Sequence, residues 1–196
     1  MTQHPQFSFN DDQAGATRLP LADGQLQFYA RAFTPHEADE YFARLLATTS
    51  WRQDHITIHG RSLPVPRLQA WYADNGAVLN YSGMQVPACV WTTDLLAIKA
   101  RICALTGHTL NSVLVNCSRD GNDSVGWHRD DEPEWGPDPV IASVSFGVTR
   151  DFVLKHTTKA LAPVKCALTH GTMLVMGSGV QTKWKHQLPK RKCVTE

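Results

Sequence analysis

Apolar and polar positions alternate along this chain with two periods, and the change from one to the other organises it. Ala38, Tyr41, Phe42, Leu45 and Leu46 recur at helical spacing and make one apolar stripe. Ahead of them, Thr34-Pro35-His36-Glu37 reads as an N-cap, a proline at the first helical position and the reciprocal glutamate of a capping box. A second helix is predicted from Thr92 or Thr93, with Leu95, Ile98, Ile102 and Leu105 inward and Gly107 ending it. From Ser112 the period shortens. Ser112 to Ser118, Val140 to Phe146, Arg150 to His156 and Leu168 to Met176 are short β-branched runs separated by Gly, Pro and Asp clusters. Gln25 to Phe33 reads as one further strand. Asp54 to Pro66 reads as a hairpin with His59-Gly60 at its tip, and Trp71-Tyr72 to Tyr81 as a second strand pair around Asn75-Gly76.

Short strands of this kind, crowded into the second half, predict a mainly β fold with flanking helices (α+β): a jelly-roll barrel with two N-terminal helices. The polar stretch 1–24 reads as a mobile arm, and 25–196 as one domain with recognition hairpins over 54–83 and a jelly-roll core over 111–196. The 196 residues are 42% hydrophobic and 19% charged, which suffices for one core. No apolar run approaches the roughly 18 residues of a membrane helix. The N-terminus lacks the basic start and apolar stretch of a secretory signal, so a cytoplasmic protein without membrane partners is expected. Cys89, Cys103, Cys117, Cys166 and Cys193 form no C-x-x-C pair, which removes zinc-ribbon and thioredoxin-like readings. A net charge of +1 decides nothing about partners, although Lys183, Lys185, Lys190, Arg191 and Lys192 make a weak basic edge near the C-terminus.

Candidate chemistry centres on Gly126-Trp127-His128-Arg129-Asp130-Asp131-Glu132. On an extended backbone, residues two apart share a face, so His128 and Asp130 can present an imidazole and a carboxylate to one ion. His186, in Trp184-Lys185-His186-Gln187-Leu188-Pro189, is the candidate third ligand from a later strand. Two histidines and one carboxylate leave positions open for a bidentate co-substrate and dioxygen. A bare H-x-D is a weak signal, and the same donors could hold zinc with an activated water in a hydrolase.

The order of several segments adds to this. Asn116-Cys117-Ser118-Arg119-Asp120-Gly121 precedes His128-Arg129-Asp130-Asp131-Glu132, then come Pro139 to Gly147, Arg150-Asp151-Phe152, His170 to Met176 and Trp184 to Pro189. Together with Arg67 to Tyr72 and Tyr81-Ser82-Gly83 upstream, this series resembles the AlkB family of iron(II)- and 2-oxoglutarate-dependent dioxygenases over about residues 55 to 190. The resemblance implies oxidative demethylation of 1-methyladenine and 3-methylcytosine in DNA. Decarboxylation of 2-oxoglutarate is coupled to hydroxylation of the methyl group by O2, and formaldehyde is released. It implies His128, Asp130 and His186 as ligands of Fe(II), and Asn116 at 2-oxoglutarate. It further implies Tyr81 and His128 as rings flanking the damaged base, Asp131 and Glu132 at its edge, and Arg67 near the flipped nucleotide. Tyr72 and Ser82 belong to the substrate-facing hairpins. His59 stands at the tip that fills the gap in duplex-acting relatives; in place of a bulky apolar wedge, it favours single strands.

Two departures qualify the resemblance. Ser118 stands where the family has a tyrosine against 2-oxoglutarate, and Lys192 to Glu196 stand where an arginine-bearing strand should begin. A truncated C-terminus is the reading preferred here, because a barrel lacking its last strand exposes an edge. The alternatives are an impaired binder of methylated nucleic acid and a dioxygenase of the same class acting on RNA. Asp131 and Glu132 have a second reading, as residues that orient the ligand loop. A monomer is expected, cytoplasmic at the nucleoid in a bacterium and nuclear in a eukaryote.

Overall fold

The computed structural model describes residues 6–7, 15–58, 60–81 and 84–191. The early strands are β1 Gln6–Phe7, β2 Ala16–Leu19, β3 Leu26–Tyr29, β4 His55–Ile58, β5 Arg61–Pro64, β6 Leu68–Ala73, β7 Leu79–Tyr81 and β8 Met84–Val86. The later ones are β9 Ser112–Cys117, β10 Val125–His128, β11 Ile141–Ser145, β12 Arg150–His156, β13 Val164–Leu168, β14 Thr172–Met176 and β15 Trp184–Leu188. Helices are few: α1 Pro35–Thr48, α2 Thr93–Thr106 and the single turn α3 Val180–Lys183. None is long and apolar enough to cross a membrane. The chain forms two units, Met1–Phe42 with Val125–Arg191, and Ala43–Ser124.

The first unit holds two sheets, ordered β1-β13-β12-β15-β10 and β11-β14-β3-β2. In β12 and β13 buried residues alternate with half-buried ones, so Phe152, Leu154, Val164, Cys166 and Leu168 point inward. They meet Leu26, Phe28, Leu174 and Met176 from the other sheet, with Trp184 and Val180, in one core. The sheets therefore face each other. They do not close into a barrel: among the described residues β10 pairs with β15 and β11 with β14, and no ladder joins β10 to β11.

Two sequence expectations change here. Part of the segment read as an arm is sheet: β2 pairs with β3 along its length and buries Leu19, while β1 runs parallel to β13. Ala-Thr-Arg-Leu carries little strand signal alone, and its neighbour supplies it. Leu168 to Met176 is not one strand but the end of β13 and the whole of β14. Gly171 divides them at φ +78°, where a Cβ would lie 2.9 Å from the Phe33 carbonyl oxygen.

The capping box forms as read, with the Thr34 amide donating to Glu37 Oε2 at 2.9 Å and the Glu37 amide to Thr34 Oγ1 at 3.3 Å. Of the expected stripe on α1, Ala38 and Leu45 are buried, while Phe42 and Leu46 are largely exposed. Phe42 still lies against Gly147, whose added Cβ would meet its ring at 3.0 Å.

In the second unit, α2 starts at Thr92, whose hydroxyl accepts from the Leu95 amide at 3.2 Å, and ends at a left-handed Gly107. Leu95, Ile98 and Ile102 are buried, whereas Leu105 is 37% exposed. β4 and β5 form the first expected hairpin. The second does not form around Asn75-Gly76. β6 instead pairs with β9 from Leu68↔Cys117 to Ala73↔Ser112, and β7 pairs with β8. Asn75 adopts φ +57° inside a 3-10 turn, so the same Asn-Gly signal makes a corner and not a hairpin.

Cys89, Cys103, Cys117 and Cys166 are free thiols. Burial pushes the Cys166 thiol up to about 12. Its thiolate is therefore scarce at any working pH, and thiol titration of the folded protein at pH 8 should leave Cys166 unmodified until denaturant is added. Rapid labelling of Cys166 without unfolding would contradict its place in the core.

Candidate metal centre

His128 ends β10 and His186 is the third residue of β15; the two face each other as partners in one antiparallel rung. Their rings meet edge to face, 4.2 Å between centroids. Phe152 stacks on the other side of His186 at 5.1 Å, and His186 is 2% exposed. Asp130 arrives differently from the expectation. β10 stops at His128, so the carboxylate comes from irregular backbone and not from an extended strand. The Asp130 amide donates to Gln181 Oε1 at 2.9 Å, which fixes that backbone from α3.

His128 Nε2 lies 3.5 Å from Asp130 Oδ1, and His186 Nε2 lies 3.4 Å from Asp130 Oδ2. These separations are long for hydrogen bonds. They bring two imidazole nitrogens and a carboxylate near enough to face one ion. His128 Nδ1 sits 2.8 Å from the Gly126 carbonyl oxygen, and since a carbonyl only accepts, Nδ1 carries a proton and Nε2 is the nitrogen turned toward Asp130. Burial alone would raise the Asp130 carboxyl, but the neighbouring His186 and then His128 outweigh it and hold it below the ordinary carboxylate value. A two-nitrogen, one-carboxylate set grouped within 4.8 Å fits iron(II), with one side of the ion left to other ligands.

The loop after β10 also carries Asp131 and Glu132. Asp131 is exposed and its carboxylate lies 2.5 Å from the Arg129 guanidinium, so its charge is already partnered; Glu132 is half-buried.

In the second unit, Arg67 is 5% exposed and donates from Nε to Asn116 Oδ1 at 2.9 Å. The amide oxygen is thereby taken. Asn116 Nδ2 reaches the Leu114 carbonyl at only 3.4 Å, so Asn116 turns a donor outward. Ser118 is exposed just beyond β9. Tyr72 is 2% exposed, packed near Trp91 at 6.3 Å, and its phenol is raised first by burial and then by Cys89. Tyr81 is the last residue of β7. His59 and Ser82 lie outside the described residues, as does the segment 192–196.

Residues 25–195 match the 2OG-Fe(II) oxygenase superfamily. The chain is 37% identical over 183 residues to the DNA oxidative demethylase ALKBH2 of Mus musculus, covering 88% of this chain and 77% of that protein. It is 38% identical to the Homo sapiens protein of the same name, covering 88% and 70%. The chain belongs to the AlkB family. To another AlkB-family protein, alkB homolog 3 of Rattus norvegicus, described as an alpha-ketoglutarate-dependent dioxygenase, it is 40% identical over 162 residues, covering 79% of this chain and 55% of that one. The fold agrees with two solved structures. OsALKBH1 superposes with a TM-score of 0.60 at 17% identity, over 90% of this chain and 88% of that one. A 2OG-Fe(II) family oxidoreductase from Burkholderia pseudomallei gives 0.56 at 16%, over 98% and 91%.

Two groups hold this AlkB-type centre in place without any sequence signal. The Gly126 carbonyl sets the tautomer of His128, and Gln181, fully buried, holds the Asp130 backbone. A lone glutamine in a single helical turn has no spacing to mark it. Only an apolar surround around a polar side chain could have done so, and that is a tertiary property.

Proposed function

We propose that this chain demethylates N-alkylated bases in DNA, 1-methyladenine and 3-methylcytosine, using Fe(II), 2-oxoglutarate and dioxygen. The observation that carries the reading is the convergence of His128 Nε2, His186 Nε2 and the Asp130 carboxylate on one point. Relatives named DNA oxidative demethylase supply the substrate class.

Bound iron with 2-oxoglutarate and dioxygen supplies the oxidation: the methyl C–H becomes C–OH, succinate and carbon dioxide form, and the hydroxymethyl group leaves as formaldehyde. The protein's share is placement. His128, Asp130 and His186 hold the ion, and the Gly126 carbonyl keeps the His128 proton on Nδ1. Asn116, its amide oriented by Arg67, offers a donor to 2-oxoglutarate, with Ser118 beside it. Arg67, Tyr72, Tyr81, Ser82 and His59 belong to the substrate side, together with Asp131 and Glu132. Both carboxylates suit the cationic edge of a methylated base by Coulombic attraction. A base that has lost its pairing leaves the stack at lower cost, by a few kcal/mol, which favours lesions over intact bases.

The facing sheets fit a double-stranded β-helix, residues 25–196 one dioxygenase domain, and the protein a monomer located with the DNA. The deciding assay incubates the protein with iron(II), ascorbate, 2-oxoglutarate and a 3-methylcytosine oligonucleotide, with His128→Ala as control. The oligonucleotide should lose one methylene in mass and release an equivalent of formaldehyde, and the variant should do neither. An unchanged mass with the wild-type protein would rule the proposal out. Turnover of a matching RNA oligonucleotide, run in parallel, without turnover of the DNA would move the substrate, and activity with zinc but without oxygen would replace the chemistry.

A further inference from the structure

We infer that Gln181 and Asp138 form a two-point clamp that sets the height of the ligand loop, residues 129–140, above the metal centre. This inference rests on the metal reading given above, and it concerns residues that ligate nothing.

The loop leaves β10 at His128 and enters β11 at Ile141. Between those ends it carries one ligand and both candidate edge carboxylates, yet it has no ladder partner among the described residues. It is held instead at two places by the turn ahead of β15. At its start, the Asp130 amide donates to Gln181 Oε1 at 2.9 Å. Near its end, the Asp138 carboxylate accepts from Ser178 Oγ at 2.6 Å and from the Gly179 amide at 3.0 and 3.2 Å.

Both contacts are made by one short segment, residues 178–181. Gly179 adopts φ +82°, and a Cβ there would meet the Asp23 carbonyl oxygen at 2.2 Å, so only glycine is accommodated. Val180 and Gln181 are fully buried, and Gln181 Nε2 reaches Met176 Sδ at 3.6 Å. The same segment runs directly into β15, which carries His186. One turn therefore places all three ligands in a common frame: His186 through the chain, Asp130 through Gln181, and His128 through its rung with His186. The two contacts differ in environment. Gln181 is buried and serves the ligand end, whereas Asp138 is exposed and serves the end beyond Asp131 and Glu132. Gln181 is thus a positioning residue for the metal, and Asp138 for the recognition carboxylates.

The test is Co(II) titration of the purified protein by calorimetry, set beside KM and kcat for a 3-methylcytosine oligonucleotide. Gln181→Met keeps the volume and removes the acceptor, leaving the Asp130 amide unpaired; Co(II) binding should weaken roughly tenfold. Gln181→Glu restores an acceptor oxygen and should recover most of that loss. Asp138→Ala lies at an exposed site, so Co(II) affinity should stay within about twofold, while KM for the oligonucleotide rises severalfold and kcat changes less. Gln181→Met with wild-type affinity, or equal losses in Gln181→Met and Gln181→Glu, would overturn the clamp at the ligand end. An unchanged KM in Asp138→Ala would overturn it at the other, and this variant stays informative should Gln181→Met fail to fold. A wild-type protein that does not bind Co(II) sinks the metal reading and the clamp together; wild-type binding with unaltered variants sinks the clamp alone.

Discussion

Asp130→Ala loses demethylation by on the order of a thousandfold or more, beyond the 10–100-fold that removal of an outer partner of a metal ligand costs. The carboxylate is the only anionic donor of the triad, and both histidine nitrogens address it, at 3.4 and 3.5 Å. Its removal leaves two neutral imidazoles to hold a divalent cation, with nothing to balance the charge. The neighbouring Asp131→Ala separates ligation from general acidity of the loop. That side chain is exposed and already paired with Arg129, so its loss costs only a few-fold. Formaldehyde release and Fe(II) affinity, measured on both variants, check this directly. Asp130→Ala with a tenth or more of wild-type turnover would detach the carboxylate from the chemistry.

The largest effect on folding is expected at Trp184. It is 1% exposed, packs among Leu26, Phe28 and Leu154 in the shared core of the two sheets, and donates from Nε1 to the Ala22 carbonyl at 2.8 Å. Trp184→Ala opens a cavity and orphans that carbonyl, costing about 3–5 kcal/mol. For a chain of this size the midpoint of thermal unfolding falls by roughly 6–20 °C. Calorimetric or circular-dichroism melting is the check, and a fall of less than a few degrees would mean that the core does not depend on this ring. The indole also anchors the start of β15, so the same variant should weaken metal binding through His186, two residues on.

What could be read ahead of the structure follows from where each signal is stored. The capping box at Thr34 and the Thr92 and Gly107 ends of α2 are local hydrogen-bond chemistry, and they stand where the pattern placed them. His128, Asp130 and His186 were named from residue type and order, and the fold brings them together. Strand alternation stops short of Asp130, and a buried glutamine holds its backbone instead. Pairing was less legible. The Asn75-Gly76 dipeptide signals a reversal but not which strands it joins, and β6 found β9, far along the chain, as its partner. β2 was missed because its four residues acquire a strand's environment only beside β3. Propensity describes a segment, whereas register is a property of two.

The rung that sets His128 opposite His186 has a bearing on biosynthesis. A chain made from its N-terminus exposes the first histidine and its carboxylate well before the second emerges, and two donors grip a divalent ion only loosely. Tight capture waits until β15 has entered the sheet between β12 and β10. With these three residues as ligands, a redox-active ion would be held firmly only once β15 is seated, and the chain before that point would be spared oxidation of its own thiols and methionines.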